Sequence, residues 1–261
     1  MIPRIIYSLW YQGVAQAPDT VRLCFERWRA LNPGYEMKIL DAVDVRRLLH
    51  GFPVPLESIS PQALSDIVRI HLLAGTGGVW ADATVLPIQP LESWLPQVTE
   101  DTGFFAFDRP KPDRPLSSWF LAASHPQLLI QKWLREVGRF WCKPRAGAFY
   151  EGSMIPPDPN WEIAPDGGAR EDRYPYFWFH YLFGYLLKED AEFARLWSLC
   201  RKVDAEPPHR LQRLFSQGNA PSPEAIAAAA RAAPVQKLNW RQPYPPSLLE
   251  VIRGHAARSG S

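Results

Sequence analysis

Ser65-Asp66-Ile67-Val68-Arg69-Ile70, a glycine turn at Gly75-Thr76-Gly77-Gly78, and then Val79-Trp80-Ala81-Asp82-Ala83-Thr84 form the stretch that decides how this 261-residue chain is read. Upstream, Ser60-Pro61 is a helix start: a hydroxyl cap followed by proline at the first helical position. The helix is expected to run to about Ala74 and to stop at the glycines. Leu64, Ile67, Val68 and His71 lie along one side of it, while Asp66 and Arg69, three residues apart, share another. Val79-Trp80-Ala81 then reads as a short strand that delivers Asp82, Ala83 and Thr84. A dinucleotide fingerprint has its glycines after a strand and before a helix. Here the order is reversed, and that reading fails.

Ligands of open α/β sheets bind at the carboxyl ends of strands, where this unit places an acid and a hydroxyl. Oxygen ligands there suit a hard divalent cation, which itself favours phosphate oxygens. Arg69 can hold a phosphate or a sugar hydroxyl, and Asp66 can accept hydrogen bonds from sugar hydroxyls. The residues alone also allow a plainer reading, in which Asp66 and Arg69 form a helical ion pair and Asp82 caps a turn.

Working outward, Ile5-Ile6-Tyr7-Ser8-Leu9-Trp10 is a short apolar run suited to a buried strand. A helix from Val21 to Leu31, a strand at Met37–Leu40 and a helix from Val43 to His50 follow. This alternation is the signature of a parallel sheet with crossover helices. Phe104–Phe107 and Trp119–Ala123 are further strand candidates, with a helix from about Pro126 to Phe140. Residues 143–175 hold six prolines and four glycines in 33 positions, the composition of a lid or insertion loop. Helices are expected near 176–188 and 190–202, and from Pro223 behind a Ser222 cap. Val235–Trp240 closes the fold, and 241–261 reads as a tail. The expectation is one domain over residues 1–261.

The net charge of +2 hides an asymmetry: residues 1–194 balance to −4 and residues 195–261 to +6. The basic charges are scattered and lack the aromatic interleaving of an RNA-binding module, so nucleic acid is disfavoured and peripheral contact with anionic lipid stays open. Three scattered cysteines make a poor disulfide framework, which favours a cytoplasmic location. No apolar run reaches the ~18 residues of a membrane-spanning helix, and no secretion signal opens the chain.

Ser65–Ile70 together with Gly77–Thr84 resembles the capsular polysaccharide synthesis proteins, relatives of the DXD-type sugar transferases that include yeast α-mannosyltransferases and the glucosylating clostridial toxins. Ile2-Pro3-Arg4-Ile5-Ile6-Tyr7-Ser8-Leu9-Trp10 is similar to that family's first strand, with Tyr7 and Ser8 in place of the usual His and Gln. Asn32–Glu36, Trp119–Ala123, Tyr176–Phe183 and Pro234–Trp240 resemble later family segments in the right order.

The resemblance implies a GT-A-like, Rossmann-type mixed sheet flanked by helices, with further helices at the C-terminus. It also implies sugar transfer from a nucleotide donor, UDP- or GDP-linked, to a glycan or other glycoside acceptor, lipid-linked acceptors included. On it, Asp66, Arg69 and Asp82 are the catalytic candidates. Trp10, Ser8, Gly77, Gly78, Ala83, Thr84, Asn239 and Trp240 join them in donor binding. Asp82 and Thr84 are the expected ligands of Mn²⁺ or Mg²⁺, with Thr84 a weaker ligand than the acid it replaces. Asp108, Trp161 and His180 are acceptor-side candidates. Their plainer roles are a turn cap for Asp108 and a core histidine for His180.

Overall fold

The first strand and helices follow from where the apolar residues fall. β1 (Ile5–Leu9) is buried along its middle, and β2 (Glu36–Leu40) pairs parallel to it. Between them α1 (Asp19–Leu31) buries Val21, Cys24, Phe25 and Trp28, a stripe at helical spacing. The computed structural model describes residues 1–111, 114–145, 147–149, 173–216, 221–245 and 248.

α2 (Ala42–Leu48) opens on a capping box in which the Asp41 carboxylate accepts from the Asp44 N–H and Asp44 accepts from the Asp41 N–H. α3 (Pro61–Thr76) starts as the sequence predicts, the Ser60 hydroxyl accepting from the Ala63 N–H. It runs two residues past Ala74 and stops at Gly77. β3 (Gly78–Ala81) is buried throughout and parallel to β1.

Then come β4 (Val85–Pro87), α4 (Leu95–Thr99), β5 (Phe104–Lys111), β6 (Arg114–Ala123) and α5 (Leu128–Phe140). β7 (Gly147–Phe149) and β8 (Arg173–Pro175) form a short parallel pair within the proline-rich segment, of which 146 and 150–172 lie outside the described residues. α6 (Trp178–Glu189), α7 (Ala191–Leu199), α8 (Arg210–Ser216), α9 (Pro223–Ala230) and β9 (Val235–Lys237) complete the order.

The main sheet runs β2-β1-β3-β6-β5, its first three strands parallel, with β6 antiparallel to both β3 and β5. This is the expected mixed α/β sheet with C-terminal helices. The chain leaves β1 for β2 on one side and returns as β3 on the other. The strand order therefore reverses at β1, and the carboxyl ends of β1 and β3 flank a switch-point crevice. Outside the sheet, β9 pairs antiparallel with β4, which ties the residues just after Asp82 to the closing strand.

One core lies under α3, α5, α6 and α7, where Trp133 stacks on Phe179 at 3.9 Å and Phe140 on Trp178 at 5.0 Å. A second, around Trp28, Trp94, Phe105, Phe107 and Phe120, fills the other face. Much of the chain's content of eleven tryptophans is thus packing, each large apolar side chain contributing roughly 1.5–3 kcal/mol on burial. A Cβ at Gly78 (φ 109°) would sit 2.8 Å from the Ile5 carbonyl oxygen, and one at Gly77 (φ 67°) 2.7 Å from that of Ala123. These glycines let three strands close up at the amino edge of the sheet.

Candidate active site

Asp82 leaves the carboxyl end of β3 with its N–H donating to the Trp119 carbonyl at 2.9 Å and its own carbonyl accepting from the Val85 N–H at 2.8 Å. The tight turn Asp82-Ala83-Thr84 thus feeds β4. Strand alternation puts Trp80 on the same side as Asp82, and the Trp80 indole N–H donates to Asp82 Oδ1 at 2.9 Å.

Arg69 reaches in from α3 with its side chain 5% exposed. Nη1 meets Asp66 Oδ1 at 2.8 Å and the Ser118 carbonyl at 3.0 Å. Nη2 meets Asp82 Oδ1 at 3.2 Å and the Ser65 hydroxyl at 3.0 Å. The guanidinium also lies over the Trp80 ring, 5.0 Å from its centroid. The helical ion pair of the plainer reading exists, and the same fork carries Asp82.

From the closing strand, Lys237 Nζ donates to Asp82 Oδ2 at 3.1 Å and to Thr84 Oγ1 at 2.6 Å. Sequence reasoning missed this lysine. Its one signal was a charged residue, the only one inside the family-like segment Pro234–Trp240. Trp80, two residues before Asp82 on a strand, was readable as its neighbour from alternation.

Two carboxylates in one cluster are pushed apart. Burial drives the Asp66 carboxyl from 3.8 up to about 7, Arg69 opposing and Asp82 reinforcing the rise. Burial acts the same way on Asp82, but Lys237, Arg69 and the Trp80 N–H outweigh it and hold that carboxyl below its ordinary value. Because the folded state favours protonated Asp66, its contribution to stability is full below about pH 4 and is lost as pH rises through about 7. Asp66→Asn should therefore gain on the wild type between pH 4 and 7, by on the order of 1 kcal/mol per unit, and then level off. Urea titrations at pH 5, 6 and 8 check this, and a difference independent of pH rejects it.

Trp10 follows β1, and its ring meets Trp240 edge-on with centroids 5.8 Å apart. Trp240 is 40% exposed, with the Arg241 guanidinium 4.2 Å from its ring centroid. The Trp10 indole nitrogen and the Ser8 hydroxyl are buried without a hydrogen-bond partner among the described residues. Ala83 packs among Ala17, Val21, Phe25 and Trp10. The Leu238 N–H donates to the Thr84 carbonyl at 2.8 Å, and Asn239 Oδ1 accepts from the Arg241 N–H at 3.0 Å. The closing segment is therefore laid along the turn after Asp82.

His180, on α6, lies in the field of the cluster. Burial, Arg114 and Arg69 lower its imidazole to about 3, with Asp82 opposing, so it is neutral at pH 7. Its Nδ1 has no hydrogen-bond partner among the described residues.

Other expected residues are not brought together with these. Gly77 and Gly78 sit at the amino end of β3, ~13 Å along the strand from Asp82. Their donor-binding role is corrected to one of sheet packing. Asp108 is on edge strand β5, two strands from Asp82. Its backbone holds Val203 and Ala205 at 2.7 and 3.1 Å, which docks the segment after α7. Trp161 lies outside the described residues.

The donor set does not fit a divalent cation as it is arranged. Asp82 Oδ1 accepts from Arg69 and Trp80, Oδ2 accepts from Lys237, and the Thr84 hydroxyl accepts from Lys237. Asp66 and Asp82 are balanced by Arg69 and Lys237, so the cluster has no surplus negative charge for a divalent cation, which would have to share Asp82 with these two cations even where phosphate oxygens completed its shell. Among the described residues no group of three His, Cys, Asp or Glu gathers at one place. Also among them, no helix is long and apolar enough to cross a membrane.

HOC1 of Saccharomyces cerevisiae, named as a glycosyltransferase, is 26% identical over 103 residues, 36% of this chain and 26% of that protein. The O-glycosyltransferase braB of Annulohypoxylon truncatum is 26% identical over 157 residues, 52% of this chain and 37% of that protein. The chain thus spans only 26% and 37% of the length of these curated relatives. A solved glycosyltransferase involved in the glycosylation of the major capsid of PBCV-1 superposes with a TM-score of 0.43 at 13% identity, over 96% of this chain and 97% of that one. The profile of the family described as "Capsular polysaccharide synthesis protein" matches residues 1–150, more than half of the 261, and takes in β1, α3, β3 and the Asp66–Arg69–Asp82 cluster. The chain belongs to the capsular polysaccharide synthesis protein family.

Proposed function

We propose that this chain is a glycosyltransferase that moves a sugar from a UDP- or GDP-linked donor to a polysaccharide or other glycoside acceptor, with retention of configuration, in the cytoplasmic stage of building a bacterial surface polysaccharide. The observation that carries this reading is the Arg69-centred cluster at the switch-point crevice, bordered by Trp10 and Trp240. Trp10 stacks the nucleobase, Trp240 closes over the donor, and Asp66 accepts from sugar hydroxyls. Cationic donors at the crevice stabilise the charge that develops on the departing diphosphate. Attack comes from the same face as departure and requires no protein nucleophile. On this reading His180, neutral at pH 7, belongs to the acceptor side.

The test is nucleotide release from a panel of UDP- and GDP-sugars, with and without glycan acceptors, set against Asp82→Asn. Release by the wild type and none by the variant is expected. No donor released above the variant's background rejects the reading. Thr84, a hydroxyl in place of an acid, favours a second reading, a silent donor-binding module. Stoichiometric donor binding without release would select it.

A further inference from the structure

We infer that Lys237 is a built-in cation for the donor's diphosphate, standing where a divalent metal would otherwise sit, so that this chain binds its nucleotide without metal. The inference rests on the nucleotide-donor reading above and concerns which positive charge meets the phosphates.

Three observations carry it. The first is position: the Lys237 ammonium bridges Asp82 Oδ2 and Thr84 Oγ1, the two groups expected to ligate metal. A cation bound by both would have to displace it. The second is valence. An ammonium has three N–H donors. Two are taken by Asp82 and Thr84, and the third has no partner among the described residues. With the side chain 19% exposed, that donor is available to a phosphate oxygen.

The third observation is the rigidity of the strand that presents it. β9 is paired with β4, and Gln236, fully buried beside Lys237, is held from three directions. Its Oε1 accepts from the Leu211 N–H at 3.1 Å, and its Nε2 donates to the Pro207 and Ala230 carbonyls at 3.2 Å each. The lysine is thus fixed before a ligand arrives. Thr84 gains a reason on this view. A carboxylate at position 84 would add a second negative charge against Lys237 and neutralise it more fully. A hydroxyl orients the ammonium and leaves its charge for the phosphates.

The test is calorimetric binding of UDP and GDP to the full chain, in EDTA and in Mn²⁺, by the wild type, Lys237→Met and Lys237→Arg. Wild-type affinity for one nucleotide should be the same in EDTA and Mn²⁺. Lys237→Met should weaken it about 10- to 100-fold in both buffers, the loss of one charge-assisted hydrogen bond, and Lys237→Arg should keep most of it. The wild-type comparison stands even where a variant folds poorly. Binding by the wild type only in Mn²⁺, or wild-type affinity in a folded Lys237→Met, overturns the inference and leaves the donor reading in place. Binding of neither nucleotide in either buffer overturns both.

Discussion

Asp82→Asn is expected to reduce nucleotide release by about a hundred- to a thousandfold while the chain stays folded. Asparagine keeps an oxygen for the Trp80 N–H and loses the charge that holds two cations. In the native cluster Oδ1 anchors Arg69 and Oδ2 anchors Lys237, so one carboxylate sets the position of both positive groups at the mouth of β3. With a neutral amide there, Arg69 stays on Asp66, Ser118 and Ser65, but Lys237 keeps only Thr84 and is free to swing, and the alignment of charge on the diphosphate goes with it. The loss should fall on kcat more than on KM, because groups aligned to charge that develops late act on the transition state. Steady-state release kinetics and a circular dichroism melt on the same preparation check this. A folded variant retaining more than half of wild-type release would remove Asp82 from the chemistry.

At pH 8, Arg69→Met should be the most destabilising single change in the cluster, at about 3–5 kcal/mol, and the loss should shrink toward pH 5 as Asp66 is protonated. Its side chain is 5% exposed, and those of the acids it holds, Asp66 and Asp82, are 12% and 25% exposed. At pH 8, where the wild-type Asp66 is ionised, removing the guanidinium strands that charge or forces it to take up a proton, and it leaves the Ser118 carbonyl and Ser65 hydroxyl without the Arg69 donor. Asp82 retains Lys237, so the penalty is concentrated on Asp66. The double variant Arg69→Met, Asp66→Asn should therefore recover a large part of the loss, a coupling that a plain packing defect would not show. Urea unfolding midpoints at constant slope measure it. A loss below about 1 kcal/mol, or no recovery in the double variant, rejects this account.

How far the site could be read from sequence follows from how local its signals are. The helix cap at Ser60-Pro61, the strand ending at Asp82 and the cap at Ser222 each lie within a few residues and are where they were expected. Asp66 and Arg69 were placed on one helix face by their spacing, and they meet there. Gly77 and Gly78, which the resemblance groups with donor binding, are close to Asp82 in sequence but not in the fold. A strand carries its two ends to opposite edges of a sheet, and those glycines are at the other edge. β4 and α8 escaped notice because each follows directly on a turn or another short helix and has no punctuation of its own to mark a start. Lys237 was out of reach for a different reason. Its partnership with Asp82 spans 155 positions, and no local pattern reports a contact of that range.

That separation bears on when the site comes into being. Closing a loop of this length costs about 4–5 kcal/mol in chain entropy by logarithmic scaling, before any contact is made. The sheet from β1 to β6 is complete by Ala123, and β9 begins at Val235. During synthesis from the N-terminus, Asp66, Arg69 and Asp82 are therefore in place long before Lys237 exists. Assembly of the site is deferred to the return of β9 onto β4, so a folding chain carries its acids and its sheet for a time without the lysine that completes the charge balance.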